Sequence, residues 1–287
     1  MDMAEKNYRA ELVGVFGDPV DGNPTGVVEE AGFAATGLNW RYLTCRVPVE
    51  KLADAMKGMR AMSMQGINLT MPHKVAVLEY LDELSEAARI VGAVNTVAVR
   101  DGKLFGENTD GKGFVRSLTD AGISLAGKVV AILGAGGAAK AIGVECALAG
   151  AKKLHIINRN RERGEELVEA IRKNTAAAAE FHPWQGTAEI PADADILINA
   201  TCVGLAPNVD QFPDVRYDQI RPGMPVCDVV FNPAMPLFLK KAEAQGAQVI
   251  TGLGMLVNQA ALNFEIWTGV KAPREVMMGA LKREVED

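Results

Sequence analysis

Between Val129 and Gly150 the chain runs from an apolar strand through a tight glycine turn into a helix, an order that limits the fold more than any other segment. Val129–Leu133 is an unbroken apolar run of the length expected for a strand covered on both faces. Leu133-Gly134-Ala135-Gly136-Gly137-Ala138-Ala139 follows and fits G-x-G-x-x-G/A; the helix beyond it runs to about Ala149 and is capped by Gly150. Glycines alone serve many ordinary turns. Set after a strand and at the opening of a helix, they let backbone N–H groups and the positive end of the helix dipole meet a diphosphate. Gly134, Ala135, Gly136, Gly137 and Ala138 therefore read as a dinucleotide-binding loop.

The segments around this loop extend the pattern. Leu154–Ile157, Asp195–Asn199, Pro225–Val230 and Gln248–Ile250 are strand-like, and their alternation with helical stretches specifies a doubly wound parallel sheet. Ala176–Ala179 is a short alanine run that reads as helix or loop. Ahead of the loop lie strand-like Glu11–Gly17, Trp40–Val47 and Ile67–Thr70, with helical periodicity from about Val27 to Thr36 and over Glu50–Met59. A helix is expected to begin near Pro72, and Asp101-Gly102 marks a hairpin between Val94–Val99 and Lys103–Phe105. The fold class is thus α/β: a small N-terminal α/β substrate domain with a mostly parallel sheet and one antiparallel hairpin, plus a Rossmann-type dinucleotide domain. The expected boundaries are 1–112, completed by C-terminal helices from about 255 to 287, and 113–254, with both ligands held in the cleft between the domains.

A chain of 287 residues suits two domains of this kind. Its formal charge of −6 speaks against a nucleic-acid partner, which needs a basic surface. Cys45, Cys146, Cys202 and Cys227 form no CxxC pair and read as buried free thiols of a reducing compartment. His73, His155 and His182 show no metal-ligand spacing, so no metal is expected. The N-terminus lacks the apolar core of a signal peptide and no apolar run reaches membrane-spanning length. A cytoplasmic protein without a membrane partner, monomeric or homodimeric, is the expectation.

Two turns upstream of the dinucleotide loop carry acid–base chemistry. Ile67-Asn68-Leu69-Thr70-Met71-Pro72-His73-Lys74 and Glu107-Asn108-Thr109-Asp110-Gly111 place a lysine and an aspartate on turns at strand ends. Reducing a ketone with hydride leaves an alkoxide that needs a proton, and the reverse reaction needs a base; Lys74 can serve both, with Asp110 beside it. Taken singly, Lys74 reads equally as a solvated helix lysine and Asp110 as a helix N-cap. The end of the second strand of the dinucleotide domain sets the cofactor type. In place of the carboxylate of an NAD site stands Asn158-Arg159-Asn160-Arg161-Glu162-Arg163, and arginines there match a ribose 2′-phosphate. NADP is expected over NAD, the other reading being a solvated basic helix start.

These segments together resemble the shikimate dehydrogenase family over nearly the whole chain. Asn68-Leu69-Thr70-Met71-Pro72-His73-Lys74 is similar to the family's Asn-Val-Thr-x-Pro-x-Lys signature, and Gly92-Ala93-Val94-Asn95-Thr96 and Asn108-Thr109-Asp110-Gly111 to two further motifs. Gly134–Ala139, Asn158-Arg159, Asn199-Ala200-Thr201 and Gly252-Leu253-Gly254-Met255-Leu256-Val257-Asn258-Gln259-Ala260 continue the match in order. The resemblance implies Lys74 as catalytic acid/base, with Asp110 as its partner at the substrate hydroxyl. It implies Asn68, Asn95 and Gln259 on ring hydroxyls with Thr70 nearby. Asn158, Arg159, Asn160, Arg163, Thr201, Val230, Gly252 and Met255 would join the glycine loop around the cofactor, with Gly254 and Met255 close to the nicotinamide. The reaction implied is NADP-dependent interconversion of a ring hydroxyl and ketone, with shikimate and 3-dehydroshikimate as the reference pair.

One subsite departs from the family's pattern. The two serines that hold the substrate carboxylate in Gly-x-Pro-x-x-x-Ser-x-Ser-Pro are Asn23 and Thr25 here, and Glu29-Glu30 stand in place of His-Asn. The tyrosine of Asp-Val-Val-Tyr-Asn-Pro is Phe231, which has no hydroxyl. Either shikimate is held by the donors that remain, or the substrate is quinate, an aminated analogue or another cyclic polyol. Charge at Glu29 and Glu30 would disfavour a carboxylate if those side chains face the pocket. A ligand-sensing protein without catalysis is the reading from a different class; intact Lys74 and Asp110 oppose it.

Overall fold

A computed structural model describes residues 7–286. The chain divides into two compact units. One comprises the residues up to Ala88 with Gly92–Glu107 and Ala260–Leu281; the other comprises Arg89–Val91, Asn108–Gln259 and the residues from Lys282.

In chain order the elements ahead of Asn108 are β1 (Glu11–Gly17), α1 (Thr25–Thr36), β2 (Trp40–Arg46), α2 (Leu52–Ala61), β3 (Gly66–Leu69), α3 (His73–Ala76), β4 (Glu83–Leu84), α4 (Glu86–Val91), β5 (Thr96–Arg100) and β6 (Lys103–Glu107). The strands form one sheet in the order β2-β1-β3-β5-β6-β4. β1 runs parallel to β2 and β3, as alternating strands and helices require. The expected hairpin is present, with Asp101 and Gly102 at φ 50° and 78°, the left-handed pair that a two-residue turn demands. A second antiparallel pairing was not expected: β5 starts where β3 finishes, Asn68 opposite Thr96, and so runs back against it. The helix expected from Pro72 is real but ends after one turn, at Ala76.

Phe16, Met56, Met59, Ile67, Leu69, Val77, Val97 and Leu104 pack into one buried cluster of this unit. On α1, Phe33 stacks at 5.4 Å on Phe264, which follows in the C-terminal part of the chain. Both rings are out of solvent, and Gly32 lets Phe264 lie close against the helix.

From Asn108 the elements are α5 (Thr109–Asp120), β7 (Val129–Leu133), α6 (Gly137–Leu148), β8 (Lys153–Asn158), α7 (Arg161–Asn174), β9 (Ala178–Pro183), β10 (Ile196–Asn199), β11 (Pro225–Asp228), α8 (Leu237–Glu243), β12 (Gln248–Ile250), α9 (Gly252–Thr268) and α10 (Arg274–Glu286). Six strands in the order β12-β11-β10-β7-β8-β9 make a wholly parallel sheet. The reversal of strand order at β7 and β10 is the switch point at which such sheets bind ligands. Leu133, Ile157, Leu197, Val226 and Phe238 lie in its core. Of the alanine run over 176–179, Ala176 and Ala177 form the expected loop, while Ala178 and Ala179 are corrected by β9: pairing with the whole of β8 makes an edge strand of a segment whose own composition does not ask for one.

α5 and α9 cross at backbone contact. A methyl group at Gly113 would lie 2.6 Å from the Gln259 nitrogen and 2.8 Å from the Met255 oxygen, so only glycine admits this crossing. The four cysteines are free, Cys146 and Cys227 buried as expected, but Cys45 only partly so and Cys202 exposed. No helix among the described residues is long and apolar enough to cross a membrane.

Candidate active site

The residues of the first unit expected to meet the substrate cluster near the ends of β1, β2 and β3. Three backbone bonds lace the turns that follow: Val47 N–H to the Gly17 oxygen at 2.9 Å, Asp18 N–H to Met71 at 3.0 Å, and Thr70 N–H to Phe16 at 3.0 Å. His73, fully buried, adds a side-chain tie, Nε2 lying 2.6 Å from the Val47 oxygen. A carbonyl only accepts, so Nε2 carries the proton. Lys74 follows directly, half-buried, its own carbonyl accepting from the Val94 N–H at 2.8 Å. The lysine backbone is therefore held from both sides.

Asn68 and Asn95 are brought together. The Asn68 amide donates to the Asn95 carbonyl and to Thr96 Oγ1, each at 3.1 Å, and the Tyr42 hydroxyl donates to Asn68 Oδ1 at 2.8 Å. Thr96 in turn donates to Asn263 Oδ1 at 2.7 Å. Both amide hydrogens of Asn68 are thus engaged, and what this side chain retains for a ligand is a lone pair on Oδ1. Tyr42 had read only as a strand residue.

At the departing subsite, Asn23 Oδ1 accepts from the Thr25 N–H at 3.0 Å, closing an Asx turn that opens α1. The Asn23 oxygen is committed to the backbone and Thr25 is buried. Glu30 accepts from the Tyr42 N–H at 2.5 Å, so it ties α1 to β2. Glu29 is completely buried, and desolvation pushes its carboxyl well above the usual range. Neither of its oxygens has a hydrogen-bond partner among the described residues, so burial there opposes the charged form.

The second unit carries Asp110, Gln259 and Phe231. Asp110 is the second residue of α5; Asn108, not Asp110, caps that helix, its Oδ1 facing the Asp110 N–H at 3.3 Å. Gln259 is buried on α9 at the Gly113 crossing, and Phe231 is half-buried in the loop after β11. Lys74 belongs to the first unit, Asp110 and Gln259 to the second.

The dinucleotide loop has the form its sequence implied. Gly134 adopts φ 108°, a left-handed value reserved in practice for glycine, and its N–H bonds the Ile157 oxygen at 2.8 Å. A side chain there would crowd Thr201 at 3.1 Å, on the loop after β10. Ala135 is buried, and Gly136 caps α6 without a side chain. A methyl group at Gly136 or Gly137 would meet nothing within 4 Å, so the first N–H groups of α6 open onto free space. Ala138 stands half-buried in the first turn, and Ala139 packs α6 onto the sheet.

At the end of β8, Asn158 Nδ2 bonds the Asn160 oxygen at 2.8 Å, and Asn160 Oδ1 caps α7 through the Arg163 N–H at 2.9 Å. Arg161 is spent on Glu165 and on the Phe181 ring. Arg159 and Arg163 are exposed, and among the described residues their guanidinium groups make no ion pair. A phosphate ester suits that donor set. The residues present fit a phosphorylated dinucleotide.

Beyond the glycine loop lies a polar cluster that joins the Asn199-Ala200-Thr201 motif to Asp228, a link no spacing in the sequence shows. Asn199 Oδ1 accepts from the Thr201 N–H at 3.1 Å and hydroxyl at 2.7 Å, while its amide donates to Asp228 Oδ1 at 3.0 Å. The Val230 N–H bonds the same Asp228 oxygen at 2.9 Å. Burial pushes the Asp228 carboxyl up to about 7, against the opposing pull of these hydrogen bonds. The cluster ties together the loops that hold Thr201 and Val230. Gly252, at the start of α9, lies against the Val229 and Val230 carbonyls, and Met255 follows one turn on.

Comparison with known proteins agrees in register. Residues 15–97 match the family model of the shikimate dehydrogenase substrate binding domain, 117–206 that of shikimate / quinate 5-dehydrogenase, and 252–282 that of the shikimate 5'-dehydrogenase C-terminal domain. The chain is 41% identical over 282 residues to the shikimate dehydrogenase (NADP(+)) of Desulforamulus reducens, covering 97% of each. Among solved structures it is similar to the ligand-free 5-ketofructose reductase of Gluconobacter sp. strain CHM43, with 47% identity, a TM-score of 0.93, and 97% and 100% of the two chains covered. It is also similar to the shikimate 5-dehydrogenase of Listeria monocytogenes in complex with shikimate and NAD, with 37% identity, a TM-score of 0.91, and 96% and 98% covered.

Proposed function

This chain belongs to the shikimate dehydrogenase family, and on that premise we propose that it is an NADP-dependent oxidoreductase interconverting a ring hydroxyl and a ketone of a shikimate-like compound. What carries the reading is the full acid–base and hydroxyl-recognition set, Lys74, Asp110, Asn68, Asn95 and Gln259, at the positions that correspond to the family's motifs. Bound NADPH supplies the hydride. In the reducing direction Lys74 delivers the proton that the nascent alkoxide needs, Asp110 shares that hydroxyl, and the Asn68 oxygen accepts from a second hydroxyl. Arg159 and Arg163 select the 2′-phosphate over the bare hydroxyl of NAD. Thr70 lies at the same group of strand ends as Lys74.

A second substrate reading rests on a specific observation. The 47% identical structure is named for 5-ketofructose, an uncharged polyhydroxy ketone, and the departures of this chain fall on the carboxylate subsite. Phe231 offers no hydroxyl and the Asn23 oxygen is committed to the Thr25 N–H. Initial rates of NADPH oxidation with 3-dehydroshikimate and with 5-ketofructose, and of NADP⁺ reduction with shikimate and quinate, decide between them. Efficient turnover of shikimate upholds the first reading; turnover of the uncharged ketone alone transfers the chain to the second. Lys74→Ala should abolish turnover while NADPH still binds, and undiminished turnover in that variant sinks the enzymatic role given to the lysine.

A further inference from the structure

The outer edge of the second unit's sheet carries a group of side chains for which the reductase reading has no use. His155 lies on β8; Glu180 and His182 lie two residues apart on β9, so both project from the same face of the edge strand. In the parallel register His155 pairs with Glu180 and Ile157 with His182, bringing the three onto one face. His155 Nδ1 is 2.8 Å from His182 Nε2 and 3.7 Å from Glu180 Oε2, and His182 Nε2 is 4.0 Å from the same oxygen. Ligand atoms around a tetrahedral zinc ion stand about 3.3 Å apart, given metal–ligand bonds of about 2.0 Å. The three separations bracket that value.

The protonation pattern is set by a fourth residue. Asp193 Oδ1 lies 2.9 Å from His155 Nε2, and a carboxylate only accepts, so the proton of His155 is on Nε2. Nδ1 is left with its lone pair facing His182 and Glu180. A carboxylate behind a histidine, fixing which nitrogen faces the metal, is the outer-shell arrangement of zinc sites. His155 is buried, with Nε2 held by Asp193 and Nδ1 directed at His182. Without an ion, His182 Nε2–H donates to His155. Moving that hydrogen to Nδ1 of the same ring frees Nε2 with no change in charge.

We propose that His155, His182 and Glu180 form a site for a divalent transition ion of the zinc type, with Asp193 as the carboxylate that orients His155. Two imidazoles and one carboxylate suit zinc, cobalt or nickel and not magnesium or calcium, which take oxygen ligands. Lys153 occupies the cation position in the metal-free chain, with Nζ 3.1 Å from Glu180 Oε2 and 3.4 Å from Asp193 Oδ2. An arriving ion displaces the ammonium from Glu180 and leaves it on Asp193. Glu180 and His182 remain partly exposed, which gives the ion an entry path and a fourth position for water. The bound ion would clamp edge strand β9 to β8. In sequence His155 is far from the Glu-x-His of β9, which is why spacing gave no sign of a site.

The test uses the full chain without a histidine tag and with Cys202→Ser, so that the exposed thiol adds no donor. Calorimetric titration with ZnCl2 should give one ion per chain, CoCl2 should give the visible bands of a four-coordinate nitrogen/oxygen site, and ZnCl2 but not MgCl2 should raise Tm. His182→Ala and Glu180→Gln, both at partly exposed positions, should weaken zinc binding by about tenfold or more. The metal-free circular dichroism and the reductase rate should stay as in the parent. No saturable zinc uptake by the parent, or uptake unchanged in His182→Ala, overturns the site. Neither result bears on the reductase reading.

Discussion

The hydroxyl of Tyr42 donates to Oδ1 of Asn68 across the whole width of β1. Tyr42 pairs with Val13 and Asn68 with Val15, so the ring lies over a valine strip and reaches a residue two strands away. Strands two positions apart are separated by about 9.6 Å, a span that the long phenol can bridge. The bond fixes which end of the Asn68 amide is available and leaves the oxygen one free lone pair.

Tyr42→Phe keeps the packing over β1 and removes that donor. The expected loss is about 1 kcal/mol, roughly fivefold in kcat/KM. If Asn68 holds a non-reacting hydroxyl, as proposed above, the loss should fall mainly on KM. Steady-state kinetics on the preferred substrate reads this directly; a loss confined to kcat would show that Asn68 acts on the reacting carbon.

Arg159→Ala and Arg163→Ala should each raise KM for NADPH and leave that for NADH nearly unchanged. A charge-assisted hydrogen bond to phosphate contributes about 1.5–3 kcal/mol, which predicts a rise of roughly 10- to 150-fold. Parallel loss with both cofactors would place these arginines elsewhere than at the 2′-phosphate.

Asp228 gives the fold a pH dependence of known sign. Its carboxyl titrates near 7 in the folded chain, above the unfolded value of about 3.9. Between those values the unfolded chain has already lost the proton that the folded chain keeps. Stability therefore falls as pH rises from about 4 to 7, by at most about 1.4 kcal/mol per pH unit for this one group. Buried Glu29 acts in the same direction. Asp228→Asn can still accept from Asn199 and Val230 and should flatten part of that slope in urea melts between pH 5 and 7.5; an unchanged slope would exclude Asp228 as its source.

Gly113→Ala should destabilise by about 1–3 kcal/mol, because the added methyl meets backbone and not a movable side chain. Gln259 sits on the displaced stretch of α9, so KM for substrate should rise as well. A shift in the urea midpoint without any change in KM would separate the crossing from the site.

Much of this was legible because it depends on local order. The strand–glycine–helix sequence at Leu133–Ala139, the Asp101-Gly102 hairpin and the arginines after β8 are each written in one short segment. What escaped depends on neighbours distant in sequence. β9 is a strand because β8 lies beside it, not because Ala178 and Ala179 favour one. Asn108 caps α5 in place of Asp110, a difference of two residues that only backbone geometry distinguishes. The Tyr42 bond and the raised carboxyls of Asp228 and Glu29 are properties of burial and of partners distant in sequence. The carboxylate departures at Asn23, Thr25 and Phe231 were visible at once, because a missing hydroxyl is chemical identity and needs no coordinates.

His73 never needs to touch a substrate to be mistaken for a residue that does. Enclosed against the Val47 oxygen, it fixes the turn between Thr70 and Lys74. In a screen that scores only product formed, its replacement would look the same as damage to Lys74 next to it, the proton donor in the function proposed above. On the role proposed for Lys74, two adjacent positions would tolerate little variation for unrelated reasons, one mechanical and one chemical. Selection for a new substrate would have to leave both untouched and work on the neighbouring turn at Asn23 and Thr25, which is where this chain departs from the family's pattern.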